Sequence, residues 1–441
     1  MIRRLLLFML LLGVILPSGI SCRKEGDPSP ELTVSEKEIF LDFPGEAVSF
    51  SLSSNVPWTV DVRYPLGAEE GWLVLPVTSG ESGDHLFEVR ALENPGHMRE
   101  TRLAFAMEGV SYVTYVTVRQ QGKMEWDLTD QFDPYFAGFL LKNYTQDRSG
   151  ITYGDAIRCK QLSFGSQDQL PPTFRGGHLL VNLESMSFWE CTGTAVDLGG
   201  APQVKRVTIR DCSFESLDIS RNVELESLDV EDTAIARIDA SQNPHLAGLS
   251  ITGPHLNQDI EVVLGPGVRS FLVENRHLKV FDYQKATGLD WLHLRNCGVS
   301  SLDLRHTRLT YFSCESNTIN ELLLPETIEQ VRLLNSAGEI PQLELGPAIR
   351  FVDVRGAGIK QILLKDAYQL ESFDCIYNKL EGLDMSRAVF PSTFNIHFNP
   401  GRDGFFDLKV APADYEEKAA EYKDYRWSWD NGEVYVRVTS S

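Results

Sequence analysis

Histidine is scarce and scattered in this chain, nine in 441 residues, with no His-Glu-x-x-His pair and no Cys-x-x-Cys, so nothing indicates a zinc site. Gly-x-Ser-x-Gly, a phosphate-cradling P-loop and a dinucleotide fingerprint are all missing, which removes the usual signals of esterases, nucleotide hydrolases and dehydrogenases. The paired carboxylates of a glycosidase leave no mark in one sequence, so a glycan hydrolase stays as the weakest alternative to a non-enzymatic protein. Positive charge is in deficit: 41 Lys plus Arg stand against 62 Asp plus Glu, a formal charge of -21. That balance repels polyanions at long range and argues against nucleic acid as a partner. Long apolar runs are absent beyond the first residues. With 42% hydrophobic and 23% charged residues, the chain has material for two or three folded units.

What is present begins at the N-terminus. MIRRLLLFMLLLGVILPSGISC has two arginines, an apolar run from Leu5 to Leu16, a break at Pro17 and small residues before Cys22, the layout of a signal peptide over 1–21. A cysteine at the cleavage point resembles a bacterial lipoprotein signal, which implies acylation of the Cys22 thiol. Gly19 departs from that pattern, which prefers Leu there, and ordinary secretion with a free Cys22 is the alternative. Arg23-Lys24-Glu25-Gly26-Asp27 is similar to the Lys-plus-acidic export signal of some Gram-negative surface lipoproteins, implying a chain held on the outer membrane by lipid alone and facing the exterior. Residues 22–30 read as a flexible tether.

Over 31–122 short runs alternate apolar and polar residues, as in Ala47 to Leu52 and Tyr112 to Val118, which predicts a small antiparallel sandwich. Asn55-Val56-Pro57-Trp58-Thr59-Val60, Gly71-Trp72-Leu73, Ser79 to Gly83, Asn94, Arg99 to Arg102 and Val118 to Gly122 together resemble the BACON domain across its length. The resemblance implies an immunoglobulin-like sandwich, often N-terminal in surface proteins and first proposed to bind carbohydrate or mucin. Trp58 and Trp72 could serve as sugar platforms, but Trp58 shares a register with Val60 and Val62, which favours a buried ring and a spacer role.

From 183 to 410 one frame recurs, starting at Leu183, Val204, Leu225, Leu246, Val268, Leu289, Leu309, Ile328, Ile349, Leu370 and Pro391, in steps of 19 to 22 residues. Leu225-x-x-Leu228-x-Val230, Leu289-x-x-Leu292-x-Leu294 and Leu309-x-x-Phe312-x-Cys314 carry the strand signature, and each unit resembles a bacterial leucine-rich repeat. Three places after the strand, a column reads Cys191, Cys212, Thr233, Pro254, Arg276, Cys297, Asn317, Ser336, Ala357, Asn378 and Asn399. A buried Asn there can bridge backbone groups that no ladder satisfies. Pro254 and Arg276 break the column, so the coils from 246 to 289 are expected to bulge or widen. A second apolar pair, as in Leu217-Asp218-Ile219, Leu302-Asp303-Leu304 and Leu383-Asp384-Met385, is also strand-like. Units this short have no room for a helix, and eleven coils stack to roughly 50 Å. Open ends need caps: helices near Asp133 to Leu141 and Gly154 to Ile157 within 126–182, then within 411–441 a helix over Pro412 to Asp424 and a hairpin around Asp430-Asn431-Gly432. The expected fold class is therefore mainly β, a sandwich followed by a solenoid.

Thr145-x-Asp147-x-Ser149-Gly150 resembles the start of a calcium loop, but its isoleucine comes one place early and Ala156 stands where the closing Glu belongs. No metal or cofactor is implied. Cys191 and Cys212 share a column one coil apart, within reach of a disulfide in principle, whereas Cys314 and Cys375 lie three coils apart, roughly 14 Å. Buried free thiols are the favoured reading.

What remains is surface. Residues between the strand leucines point outward on the expected concave face. Early coils show Ser185, Arg206, Ser227 and Gly248; later ones show Trp291, His293 and Arg295, then Tyr311 and Glu315, Arg332, then Phe351, Asp353 and Arg355, and Asp374. Aromatics flanked by arginines and carboxylates are what binding surfaces concentrate; the competing reading tucks Trp291, Tyr311 and Phe351 between coils as packing. The expectation is a monomeric, non-enzymatic lipoprotein that binds a protein through this face, with a glycan ligand as the alternative.

Overall fold

The computed structural model describes residues 29–145, 149–253, 258–430 and 432–441. The expected signal peptide, Cys22, most of the expected tether, Asp147, Pro254 and Asn431 lie outside the described residues. Contacts divide the chain into two units that meet in sequence at Glu125 and Trp126.

In the first unit two sheets enclose one core. Leu32–Val34, Val48–Ser54, Gly83–Ala91 and Leu73–Val74 form one sheet; Glu38–Leu41, Val113–Gln120, Arg99–Met107, Trp58–Arg63 and Ser79–Gly80 form the other. All pairs are antiparallel except Glu38–Leu41 beside Val113–Gln120. The alternation read in sequence places Phe50, Phe87, Val89, Phe105 and Val116 inside. Trp58 and Trp72 are 3% and 2% exposed. Gly80 lies flat on Trp58, where any Cβ would meet the ring at 2.6 Å, and the Arg99 guanidinium covers Trp72 at 4.7 Å. Neither ring is open to a sugar.

The second unit is a solenoid whose coils stack in register. One strand from each coil joins a twelve-stranded parallel sheet, from Gln161–Phe164 and Ser185–Trp189 through Trp291–Arg295, Tyr311–Glu315 and Phe351–Asp353 to Thr393–Asn395. The sheet begins one strand before the recognisable repeat: Gln161–Phe164 pairs with Ser185–Trp189, because Leu162 and Phe164 supply the two inward residues that a rung needs. Opposite it, three-residue strands such as Ala195–Asp197, Ser301–Asp303 and Gly382–Asp384 form shorter ladders, so both faces are extended. The leucine frame packs between them as one continuous core.

The corner after ten of the twelve wide-sheet strands has a fixed construction; Gly165 and Gly253 follow the other two without a positive φ. One residue takes the left-handed conformation, at Glu190, Asp211, Asp232, Asn275, Asn296, Ser316, Asn335, Gly356, Tyr377 and Phe398, with φ between 50° and 62°. The next position is the buried column. Asn378 accepts from the N–H groups of Ala357 and Ile359 on the preceding coil, at 3.1 and 3.0 Å, and donates to the carbonyls of Val354 and Cys375 at 2.7 and 2.9 Å. Asn317 and Asn399 bridge in the same way. Arg276 fills its place differently. Its guanidinium donates to the carbonyls of Thr233 and Ile235, two coils back, at 2.7 and 2.8 Å. The stem passes Gly253, where a Cβ would stand 2.6 Å from Arg276 Cδ. The irregularity expected over 246 to 289 is present as a register shift between Ile260 and Glu261 in the opposite ladder.

The Leu-Asp-x pattern of the opposite face also has a cause. Asp197, Asp218, Asp239, Asp282, Asp303 and Asp384 each accept the backbone N–H two residues on, closing the turn that follows the short strand. Inside that turn Asn222 and Asn243, fully buried, form a second bridging pair.

Helices Pro134–Asn143, capped by the Asp133 carboxylate, and Tyr153–Arg158, with a capping box from Thr152 and Asp155, precede the first rung. At the far end the helix is shorter than expected, Tyr415–Glu421, and Arg426–Trp429 pairs antiparallel with Gly432–Ser440. That hairpin extends the short-strand ladder through Phe405–Val410. Trp427 Nε1 donates to the Asn399 carbonyl at 2.8 Å, closing the last rung.

Candidate functional site

Parallel pairing sets the geometry of the wide sheet's outer surface. Because every rung is in register, residues at one strand position form a row along the stack, about 4.8 Å apart. One row runs Ser270, Trp291, Tyr311, Gln330, Phe351 and Ser372; the next runs Leu272, His293, Ser313, Arg332, Asp353, Asp374 and Asn395. The third includes Glu274, Arg295 and Glu315.

Trp291 and Tyr311 stack face to face, centroids 5.3 Å apart and 6° from parallel, and Trp291 also lies over His293 at 5.9 Å. Both rings are half-buried against each other on the outer surface. Phe351 stands two rungs from Tyr311, beyond Gln330, and packs under the Arg350 guanidinium at 5.4 Å. The three aromatics are therefore a pair and a single ring.

Most of the charged members pair across rungs, and Arg355 pairs within its own. His293 Nε2 lies 3.1 Å from Glu274, Arg295 3.9 Å from the same carboxylate, and Arg332 3.2 Å from Glu315 and 3.9 Å from Asp353. Arg355 grips Asp353 through two bonds of 2.6 and 2.8 Å, and Asp374 accepts from Asn395 at 3.0 Å. These pairs are partly exposed and each contributes little, so a partner could exchange them at small cost. Ser313 sits in their midst, fully buried, with no hydrogen-bond partner for its Oγ among the described residues. No bond joins it to His293, so the Glu274, His293, Ser313 sequence across neighbouring rungs does not form a nucleophile relay.

The first coils hold a feature that sequence reading passed over. Trp189, 42% exposed, lies beneath the Arg210 guanidinium at 5.2 Å, and Arg210 is tied to Asp229 at 2.9 Å and Glu231 at 3.1 Å. Trp189 occupies the last outward position of its strand, one beyond the leucine pair, and that position was open to reading as Arg295 was.

The six described cysteines are free and buried. In place of a disulfide, the Cys191 backbone N–H donates to Cys212 Sγ at 3.3 Å. Burial pushes the Cys159 thiol up to about 11 and Cys314 up to about 12, so both stay protonated and unreactive near neutrality. Among the described residues no group of His, Cys, Asp and Glu could hold a metal ion, and no helix is long and apolar enough to cross a membrane.

No protein-family model matches the chain, and no curated protein does. Among solved structures it is similar to the functional domain of InlJ from Listeria monocytogenes, which includes a cysteine ladder, at 13% identity over 64% of this chain and 75% of that one, with a TM-score of 0.33. It is also similar to a Bacteroides ovatus GH5 xyloglucanase in complex with a XXXG heptasaccharide, at 11% identity over 41% of this chain and 46% of that one, with a TM-score of 0.19. Likeness at those scores carries no functional argument. The stacked coils and their leucine frame make the second unit a leucine-rich-repeat-like solenoid.

Proposed function

We propose that this chain is a lipoprotein acylated at Cys22 and displayed on the outer membrane, in which the BACON-like unit is a spacer and the solenoid binds a protein through its wide sheet. The observation that carries this reading is the Trp291–Tyr311 stack on the outer surface amid exchangeable ion pairs. Aromatics with arginines supply most of the energy at protein interfaces, and a stacked solenoid loses little conformational entropy on docking. The chain binds without catalysis or a cofactor, and as a monomer.

The test is direct binding of a partner captured from host or bacterial extracts, alongside a glycan array. Replacing Trp291, Tyr311 and Phe351 by alanine together is expected to weaken the identified protein by at least about a hundredfold. Unchanged affinity would remove the site, and array binding without a protein partner would shift the reading to glycan. Palmitate incorporation lost in Cys22→Ser tests the anchor; incorporation that persists refutes it.

A further inference from the structure

The column of left-handed residues holds polar side chains or glycine from Glu190 to Gly356, the types that suit this conformation best being Asn, Asp and Gly. Its last two rungs break the rule: Tyr377 and Phe398 have φ of 57° and 56°. A bulky side chain there strains the backbone, and such strain persists where surrounding structure enforces it, most often at binding sites. The turn itself does not need a ring, since Asn335 makes the same corner two coils earlier.

The two rings lie face to face, 4.6 Å apart and 8° from parallel, which is the spacing of adjacent rungs. Phe398 is backed by His397, edge-on at 4.7 Å, and His397 in turn meets the Tyr425 hydroxyl at 3.5 Å. Tyr377 is 57% exposed. With Phe398 against one face, its other face looks back along the stack to the preceding rung, which is Gly356. Apart from its chain neighbours, no heavy atom of the described residues lies within 4 Å of where a Gly356 Cβ would stand, so the preceding rung puts no side chain on that side.

We infer that the Tyr377 ring, supported by Phe398 and open above Gly356, is a stacking platform for one ring of a neutral saccharide. The apolar C–H face of a pyranose matches an aromatic ring in area and meets the negative face of its quadrupole. One exposed ring suits a single sugar ring, whereas a stable protein interface needs about 800 Å² on each side. The chain's formal charge of -21 disfavours acidic glycans. The same coils carry the Arg355–Asp353 and Asn395–Asp374 pairs, donors and acceptors suited to hydroxyl groups. The ring lies outside the Trp291–Tyr311 stack, while the Arg355–Asp353 and Asn395–Asp374 pairs are shared with the protein-binding face.

Calorimetric titration of the full chain with maltohexaose, cellohexaose and mannohexaose tests this. At least one should bind, at roughly millimolar strength, and Tyr377→Asn should weaken it by about tenfold or more while Tyr377→Phe keeps it. Gly356→Asn, which places a side chain over the ring on a backbone that Asn accepts, should give the same loss with an unchanged melting midpoint. Binding should survive alanine at Trp291, Tyr311 and Phe351. Failure of all three sugars to bind, binding of a proline-rich peptide in their place, or sugar binding that persists in both Tyr377→Asn and Gly356→Asn would overturn the inference.

Discussion

Arg276 takes a positive charge into the solenoid with no carboxylate among the described residues in hydrogen-bonding contact, and burial lowers its pKa. Guanidinium remains charged under these conditions, so the residue is tolerated for what it bridges: two carbonyls that the broken column leaves without a donor. Arg276→Met keeps the apolar stem and removes the donors, and is expected to lower stability by about 3 kcal/mol in urea unfolding. A loss under about 1 kcal/mol would mean that the Thr233 and Ile235 carbonyls find other donors. Ser313 presents the opposite case, a buried hydroxyl that bonds to nothing among the described residues. Ser313→Ala should stabilise the chain by about 1 kcal/mol, and a destabilised variant would show that the hydroxyl has a partner in solution. The Asn column was readable because its partners lie on the adjoining coil at fixed spacing. Arg276 looked like a defect because its partners lie two coils away, and only folding brings them within reach.

At the scale of the element, the aspartates after the short strands explain why Leu-Asp-x recurs. Asp218 is held below its usual pKa by the Ser220 backbone N–H and hydroxyl, and Asp303 is drawn down to about 2, chiefly by the Arg305 side chain. The folded chain therefore binds fewer protons at these sites than the unfolded chain, whose aspartates titrate near 3.9. Their contribution is complete above that value and is lost as pH falls from about 4 toward about 2. Thermal midpoints measured across this range should decline on acidification, and Asp303→Asn, which keeps an acceptor without the titration, should flatten the decline. A variant as acid-sensitive as the parent would place the transition elsewhere. Sequence periodicity showed these segments as strands; it could not show the turn bond, because Asp is also common on solvated faces.

For the whole molecule, an open stack is stable only if its last rung is covered. The hairpin of Arg426–Trp429 and Gly432–Ser440 does this, burying Trp427, Val434 and Val436 and pairing the edge of Phe405–Val410. Removing residues 425–441 should uncover that edge and the Asn399 carbonyl, giving a lower melting midpoint and concentration-dependent light scattering. A truncated chain that melts unchanged and stays monodisperse would show that the solenoid ends before the hairpin.

Period and composition alone determined that coils stack from Leu183 onward, that their leucines face inward and that both faces are extended, because a repeat of about 21 residues leaves few ways to bury its apolar edge. They also marked which residues face outward, Trp291, Tyr311 and Arg332 among them. Tertiary structure alone decided which of these touch. Trp291 meets Tyr311 while Phe351 stands apart, Trp189 joins Arg210, and Tyr377 stacks on Phe398. A rung's neighbours are some twenty residues away along the chain and one strand spacing away in space, so contact depends on register, which only the stacked fold supplies.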